Sequence, residues 1–357
     1  MSDHLAILES SPVILCLGPG GVGKTTTAAA LALAAAESGK RAVVLTIDPA
    51  RRLADAMGLS DAGGKKLDNA ARQVEGPWKG ELWASMLDPS ATFDDLIREH
   101  ASTREQADRI IGNRLYQNLT TTLSGTNEYM AAERLRSLHL DDRFDLVIVD
   151  TPPSKHAFDF LDSPGRLTRF FEHRLYRSVL APRRGLLKVM NSATQLMMRA
   201  LSRIVGAAFV EDVIDFFDAF EGIDRGFSKR AGEVAELLVD EKTAYVVVSA
   251  ARHDPLREAI WIGANLRDRK RRVSLLVVNR LTPNFDPPGE EFKTHAAAQA
   301  NLRELNALAA AERHAVADLA ATIRADATAL VIEEPTTVSD LDGVTSIANQ
   351  LRVGPSA

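Results

Sequence analysis

Val13-Ile14-Leu15-Cys16-Leu17 runs straight into Gly18-Pro19-Gly20-Gly21-Val22-Gly23-Lys24-Thr25, and an alanine-rich segment with helix-forming composition follows. The spacing matches G-x-x-x-x-G-K-[ST] between an apolar strand and a helix, the setting in which this pattern forms a phosphate-binding loop. Gly18, Gly20, Gly21 and Gly23 let backbone N–H groups, with those of Val22 and Thr26, curl around phosphate oxygens. The helix beginning near Lys24 turns its positive end toward them. The Lys24 ammonium neutralises the β and γ phosphates, and the Thr25 hydroxyl is placed to reach Mg²⁺. The stretch therefore implies a seat for a magnesium–nucleoside triphosphate.

Working outward, short apolar runs alternate with helical segments: Ala42–Ile47, Leu82–Leu87, Phe144–Val149, Ala244–Ser249, Val273–Asn279 and Ala329–Ile332. Such alternation predicts an α/β fold with a doubly wound, mainly parallel sheet, in which ligands bind beyond the carboxyl ends of the strands. The alternation breaks over 90–140 and 155–235, where helix-forming residues run longer than a crossover needs. One P-loop ATPase domain over 1–357 carrying a helical subdomain built from those two segments is the expected organisation. Apolar residues recur there at helical spacing, as in Leu167, Phe171, Leu175 and Leu186, Met190, Ala193, Met197, Leu201, Ile204, followed by Val210, Val213, Ile214, Phe217, Phe220. The segment 296–325 reads as a further surface helix or pair, with Arg303, Glu304, Glu312 and Arg313 on solvated positions.

The chain has 357 residues, 45% hydrophobic and 25% charged, with a net charge of −5 and one cysteine. This composition is that of a soluble globular protein, and cytoplasmic residence is the default expectation. A net negative charge argues against a dedicated nucleic-acid binder. Cys16 is expected to pack within its strand; one thiol excludes an intrachain disulfide, a two-cysteine metal clamp shared across a dimer, and a three-thiolate metalloid site within the chain.

Two strand-end carboxylates complete the phosphate constellation. Asp150 closes the apolar run Val147–Val149, which sets a negative charge beside the Mg²⁺ already assigned to Thr25. Asp48 follows Thr46-Ile47 and precedes the stiff Pro49, so it can be held near the γ phosphate to orient or deprotonate the attacking water. Lys24 and Asp48 are accordingly the expected catalytic residues.

These segments, with Thr46–Gly58 (TIDPARRLADAMG), Asn127–Leu135 (NEYMAAERL) and Asp150–Leu161 (DTPPSKHAFDFL), resemble ATPases of the ArsA arsenite-pump and tail-anchored-protein-targeting family over about half the chain. The resemblance implies nucleotide-driven opening and closing of a dimer. It makes the Asp48 segment a first switch carrying the catalytic aspartate. A second switch, sensing the γ phosphate, runs from Asp150 through Pro153 to His156. It also implies that Asn279 holds adenine. The family's loop carries a lysine after its first glycine that reaches the partner's nucleotide, and here that position is Pro19. Either another cation substitutes, with Arg51, Arg52 and Lys155 as candidates or else plain surface charges, or the chain pairs with a related ATPase that has the lysine. Homodimer and heterodimer both stay open.

For a client, the family offers arsenite or a hydrophobic transmembrane segment. The lone cysteine disfavours the first. Met190, Met197, Met198, Phe209, Phe216, Phe217 and Phe220 suit the lining of an apolar groove, though a methionine stripe equally describes a core. Between Arg166 and Lys188 seven basic residues face one carboxylate, Glu172, a pattern that suits an acidic membrane surface or a solvated helix face. Two alternatives remain beside the hydrolase: a regulatory subunit that binds ATP and turns it over weakly, and a MinD- or ParA-like positioning ATPase.

Overall fold

The computed structural model describes residues 5–48, 52–59, 69–114, 116–117, 126–172, 212, 215–216, 219, 223–286 and 296–353. Arg51 lies outside these residues, as do Met190, Met197, Met198, Phe209, Phe217 and Phe220, and most of the basic stretch between Arg166 and Lys188. The chain divides into two compact units, one of Met1–Leu87, Ser137–Phe158 and Val239–Ala357, the other of Asp88–Arg136 and Asp159–Leu238.

The first unit holds an eight-stranded sheet. Its strands are β1 (Val13–Leu17), β2 (Arg41–Thr46), β3 (Arg72–Val74), β4 (Glu81–Met86), β5 (Leu146–Asp150), β6 (Thr243–Ala250), β7 (Leu275–Leu281) and β8 (Thr328–Ile332). They lie in the order β3-β4-β2-β5-β1-β6-β7-β8. All neighbours run parallel except β3 against β4. The central strands β1, β5 and β6 are buried along their whole length, which is why they read as unbroken apolar runs rather than alternating ones.

The described helices are α1 (Ile7–Ser10), α2 (Lys24–Glu37), α3 (Arg52–Ala56), α4 (Pro89–His100), α5 (Arg104–Ile111), α6 (Thr126–His139), α7 (Ser154–Glu172), α8 (Asp224–Val239), α9 (His253–Asp268), α10 (Ala296–Ile323) and α11 (Leu341–Val353). Helix α2 packs against β2, β5 and α11, and Thr27 through Ala36 are all buried. A helix covered on nearly every side has room for little beyond methyl groups, which accounts for its run of alanines. Among the described residues no helix is long and apolar enough to cross a membrane.

The segment 296–325 forms a single helix, α10, one of the two forms expected of it. The placement of Glu312 and Arg313 on solvent needs correction: the Thr282 N–H donates to Glu312 (2.7 Å), and Arg313 donates to the Thr282 carbonyl (3.2 Å). An alanine-rich helix offers few apolar anchors, so the chain leaving β7 is pinned to it by polar contacts instead. The three-residue strand β3 had no signal in the sequence, since it is too short for a period and takes its geometry from the ladder with β4.

The second unit is helical in its described residues. Asp88 caps α4 by accepting from the Ala91 N–H (2.9 Å), with Pro89 at the first helical position, and Thr103 caps α5 through the Gln106 N–H (3.2 Å). Phe93 stacks on Tyr116 and meets Phe227 edge-on, with ring centroids 5.1 and 5.7 Å apart. Beside these rings Arg230 of α8 pairs with Glu133 of α6 and Glu99 of α4, and Arg136 pairs with Glu233. Phe216 is buried in this unit.

Candidate functional site

Loop residues 18–23 leave the carboxyl end of β1 and enter α2. Gly18 sits so close to β6 that a side chain there would collide with the Val248 carbonyl. Gly23 has φ +94°, and a Cβ there would strike the Asn279 amide; only glycine meets both demands without strain. Gly20 and Gly21 are exposed at the crest, whereas Val22 is buried beneath it. Unlike α4 and α5, helix α2 begins with neither a capping side chain nor an acidic residue in its first turn. Its first amides and the positive end of its dipole are thus left to an anion.

Lys24 is buried to 8% exposure, and its Nζ donates to the Pro19 carbonyl (2.7 Å). Burial draws its pKa down, and the charges of Asp150, Glu258 and Asp48 pull it back up. Glu258, on α9, belongs to no motif and was not legible as part of this site. Pro19 therefore contributes a backbone acceptor that folds the loop lysine inward, but no positive charge.

Strand register places the acidic side of the site. Asp150 lies level with Cys16 of β1 and with Thr46 of β2. The Thr25 hydroxyl donates to its Oδ2 (2.7 Å), and the Thr46 hydroxyl to the same oxygen (3.0 Å). Burial raises the Asp150 carboxyl to about 6, against the lowering effect of the two hydroxyls and Lys24. A carboxylate buried this deeply beside a loop threonine is the donor set that a hard, oxygen-seeking cation requires, so the residues fit Mg²⁺. Cys16 is wholly buried, and burial followed by the Asp150 charge pushes its thiol far above the usual range, which leaves it a packing residue.

The segments that follow β2 and β5 are both tied to this centre by hydrogen bonds. The Ile47 N–H donates to the Asp150 carbonyl (3.1 Å). Asp48 follows, half-buried, and its negative charge acts on both Lys24 and Asp150. Pro49 to Arg51 lie outside the described residues, as does the Arg52 side chain. On the other segment the Thr151 hydroxyl donates to the Cys16 carbonyl (2.7 Å), and the Ser154 hydroxyl to the Gly18 carbonyl (3.2 Å). Pro153 and His156 are exposed beyond these anchors, and the Lys155 side chain is not described. Thr46, Thr151 and Ser154 lie in the segments that carry the family resemblance but had no role assigned to them; the parallel register reveals that they bind the strand ends together.

A cavity of about 370 Å³ opens from Gly23 and Thr26 toward Asn279, Arg280 and the turn Glu333–Val338. Asn279 lies inside β7 rather than after it, next to an irregularity in the pairing with β8, and Arg280 adopts φ +59°. The Asn279 Nδ2 donates to the Val22 carbonyl (3.0 Å), and its Oδ1 accepts from the Arg280 N–H (2.9 Å). The amide thus braces the phosphate loop from below while its residue lines the cavity. Its volume suits an aromatic base and sugar.

Comparison with known proteins gives a family and several relatives. The family model described as "Anion-transporting ATPase" matches residues 11–307. The chain is 32% identical to a protein named "ATPase get3" from Aspergillus terreus, over 41% of each chain. It is 27% identical to "ATPase GET3" from Malassezia globosa, over 78% of this chain and 74% of that one. To an uncharacterized protein of Streptomyces coelicolor it is 29% identical, over 80% of this chain and 66% of the other. The chain spans about half the length or less of several of the fungal relatives it matches.

Proposed function

The chain belongs to the anion-transporting ATPase family, and we propose that it binds MgATP on the loop from Gly18 to Thr26 and hydrolyses it between the first and second phosphate-sensing segments. The observation that carries this reading is the convergence of Lys24, Thr25 and Asp150 beneath the uncapped start of α2. Backbone amides of residues 20–26 bind the phosphates, and Lys24 swings from the Pro19 carbonyl to the β and γ oxygens. Thr25 and Asp150 would hold Mg²⁺, which when bound neutralises charge on the phosphate oxygens. Asp48 orients the attacking water and accepts its proton. Asp150, Pro153 and His156 form the γ-phosphate sensor: Ser154 is anchored to Gly18, so a change in the loop is passed to the start of α7.

The family resemblance further suggests a dimer that closes on nucleotide and opens after hydrolysis, in the cytoplasm, serving a hydrophobic protein client or a membrane surface. Pro19 favours a second reading, in which the chain pairs with a related ATPase that supplies the missing lysine and itself turns over weakly. The size of the helical unit disfavours a MinD- or ParA-like positioning role.

Calorimetry with MgATP and single-turnover hydrolysis on the purified full chain test the proposal together. Lys24→Ala is expected to abolish measurable binding, and Asp48→Asn to retain binding while losing about 10²–10⁴ in rate. Undiminished hydrolysis by Asp48→Asn, or full-affinity binding by Lys24→Ala, would overturn it. Slow turnover by the wild-type chain, restored by a lysine-bearing partner, selects the second reading.

A further inference from the structure

We propose that Glu334 reads the base of the bound nucleotide, accepting a hydrogen bond from the 6-amino group of adenine. The inference rests on the nucleotide reading above and adds a specificity residue to it. A triphosphate seated on residues 18–26 directs its sugar and base into the adjoining cavity, which is lined by Gly23 and Thr26 of the loop and by the turn after β8. Within that lining, Asn279 already spends its amide on Val22 and Arg280.

Glu334 is different, because its carboxylate is anchored from behind. Its Oε1 accepts from the Ser346 hydroxyl (2.5 Å) and from the Gln350 Nε2 (2.7 Å), both on α11. These two residues are four apart and so share one helix face. Gln350 in turn accepts from the Ile332 N–H (2.7 Å), which ties the helix to the end of β8. Both bonds to the carboxylate end on one oxygen, and the second oxygen keeps its acceptor capacity for a ligand. Glu333 also lines the cavity but is exposed, with no such anchor, and would lose rotamer freedom on engaging a base.

An ionised carboxylate only accepts. It therefore favours a base edge that presents an amine and disfavours one that presents a keto oxygen. Adenine and hypoxanthine differ in this way at position 6 while sharing shape. Pre-organisation by Ser346 and Gln350 turns that difference into discrimination.

The test is calorimetric binding of the magnesium complexes of ATP, ITP and GTP to the full chain, to Glu334→Gln and to Ser346→Ala. The wild type is expected to prefer ATP over ITP by about tenfold, the scale of one charge-assisted hydrogen bond in a solvent-open cavity. Glu334→Gln keeps an acceptor for Ser346 and Gln350 but can also donate to a keto oxygen, so its ATP to ITP ratio should fall toward one. Ser346→Ala loosens the anchor and should give an intermediate ratio. An unchanged ratio in Glu334→Gln, with MgATP still bound, overturns the assignment and leaves the phosphate seat intact. A wild type that binds GTP more tightly than ATP also overturns it, because the carboxylate would then face the N1 and 2-amino edge of guanine. Absence of binding by all three nucleotides overturns the nucleotide reading itself.

Discussion

Replacing Asp150 by asparagine should stabilise the protein in the absence of magnesium and nucleotide, although it removes a functional group. The Asp150 side chain is buried, and its carboxyl is raised from 3.8 to about 6 in the fold, mainly by desolvation. Because the folded state binds this proton more tightly than the unfolded chain does, stability from this group is present at low pH. It is lost as pH rises from about 4 to about 6. At about 1.4 kcal/mol per pH unit, keeping the ionised form buried at neutral pH costs about 3 kcal/mol. Asparagine resembles the neutral acid and can still accept from Thr25 and Thr46. Its NH₂ group needs a partner that the carboxylate did not, which returns about 1 kcal/mol. Asp150→Asn is therefore expected to gain about 2 kcal/mol at pH 7.5 in EDTA, read by urea unfolding and as a rise in Tm of about 4 °C. The gap should close as pH falls from 6 toward 4, where the wild-type carboxyl is protonated as well. Adding MgATP should narrow the gap, since ligand at 100 times Kd stabilises the wild type by about 2.7 kcal/mol and the variant by less. A variant less stable than wild type in EDTA at pH 7.5, or a gap that does not change between pH 7.5 and 4.5, would refute the reasoning.

Two further outcomes follow from the packing around the loop and in the helical unit. Gly23→Ala puts a Cβ at φ +94° and into the Asn279 amide, so MgATP affinity measured by calorimetry should drop at least about tenfold. Adding Asn279→Ala should recover only the collision part, and wild-type affinity in the single variant would sink the argument. Arg230→Met leaves Glu133 buried without its principal counter-charge, and chemical denaturation should show a loss of about 3 kcal/mol that Glu133→Gln partly restores. A loss below about 0.5 kcal/mol would mean that the network contributes nothing net.

Seven strands of the sheet lie within two residues of where the sequence places them, most plainly β1, β5 and β6, where burial on both faces demanded unbroken apolar runs. The loop was readable because its chemistry fixes glycine, lysine and threonine at set intervals. Strand β3 was not, because three residues carry no period. Glu312 and Arg313 were misplaced on solvent because charge alone does not reveal a backbone group such as that of Thr282 waiting opposite. Around the site, Glu258 and Glu334 went unnoticed, and Thr46 and Ser154 were given no role within their segments, because each is an ordinary polar residue whose role depends on partners outside its own local stretch.

Local chemistry, then, decided by sequence alone that residues 18–25 form a phosphate loop between a buried strand and a helix, that Asp150 ends one strand of the sheet, and that Asp48 follows another. Those features are written in adjacent residues, because glycine freedom, strand burial and helix initiation act over a few positions. Tertiary structure decided what surrounds them: the parallel register that sets Thr46 beside Asp150, the irregularity in β7 that turns Asn279 under the loop, and the packing of α11 that fixes Glu334 at the cavity. Hydrogen bonds between residues separated by up to 257 positions leave no mark on either partner's local sequence, so only the folded chain brings them into view.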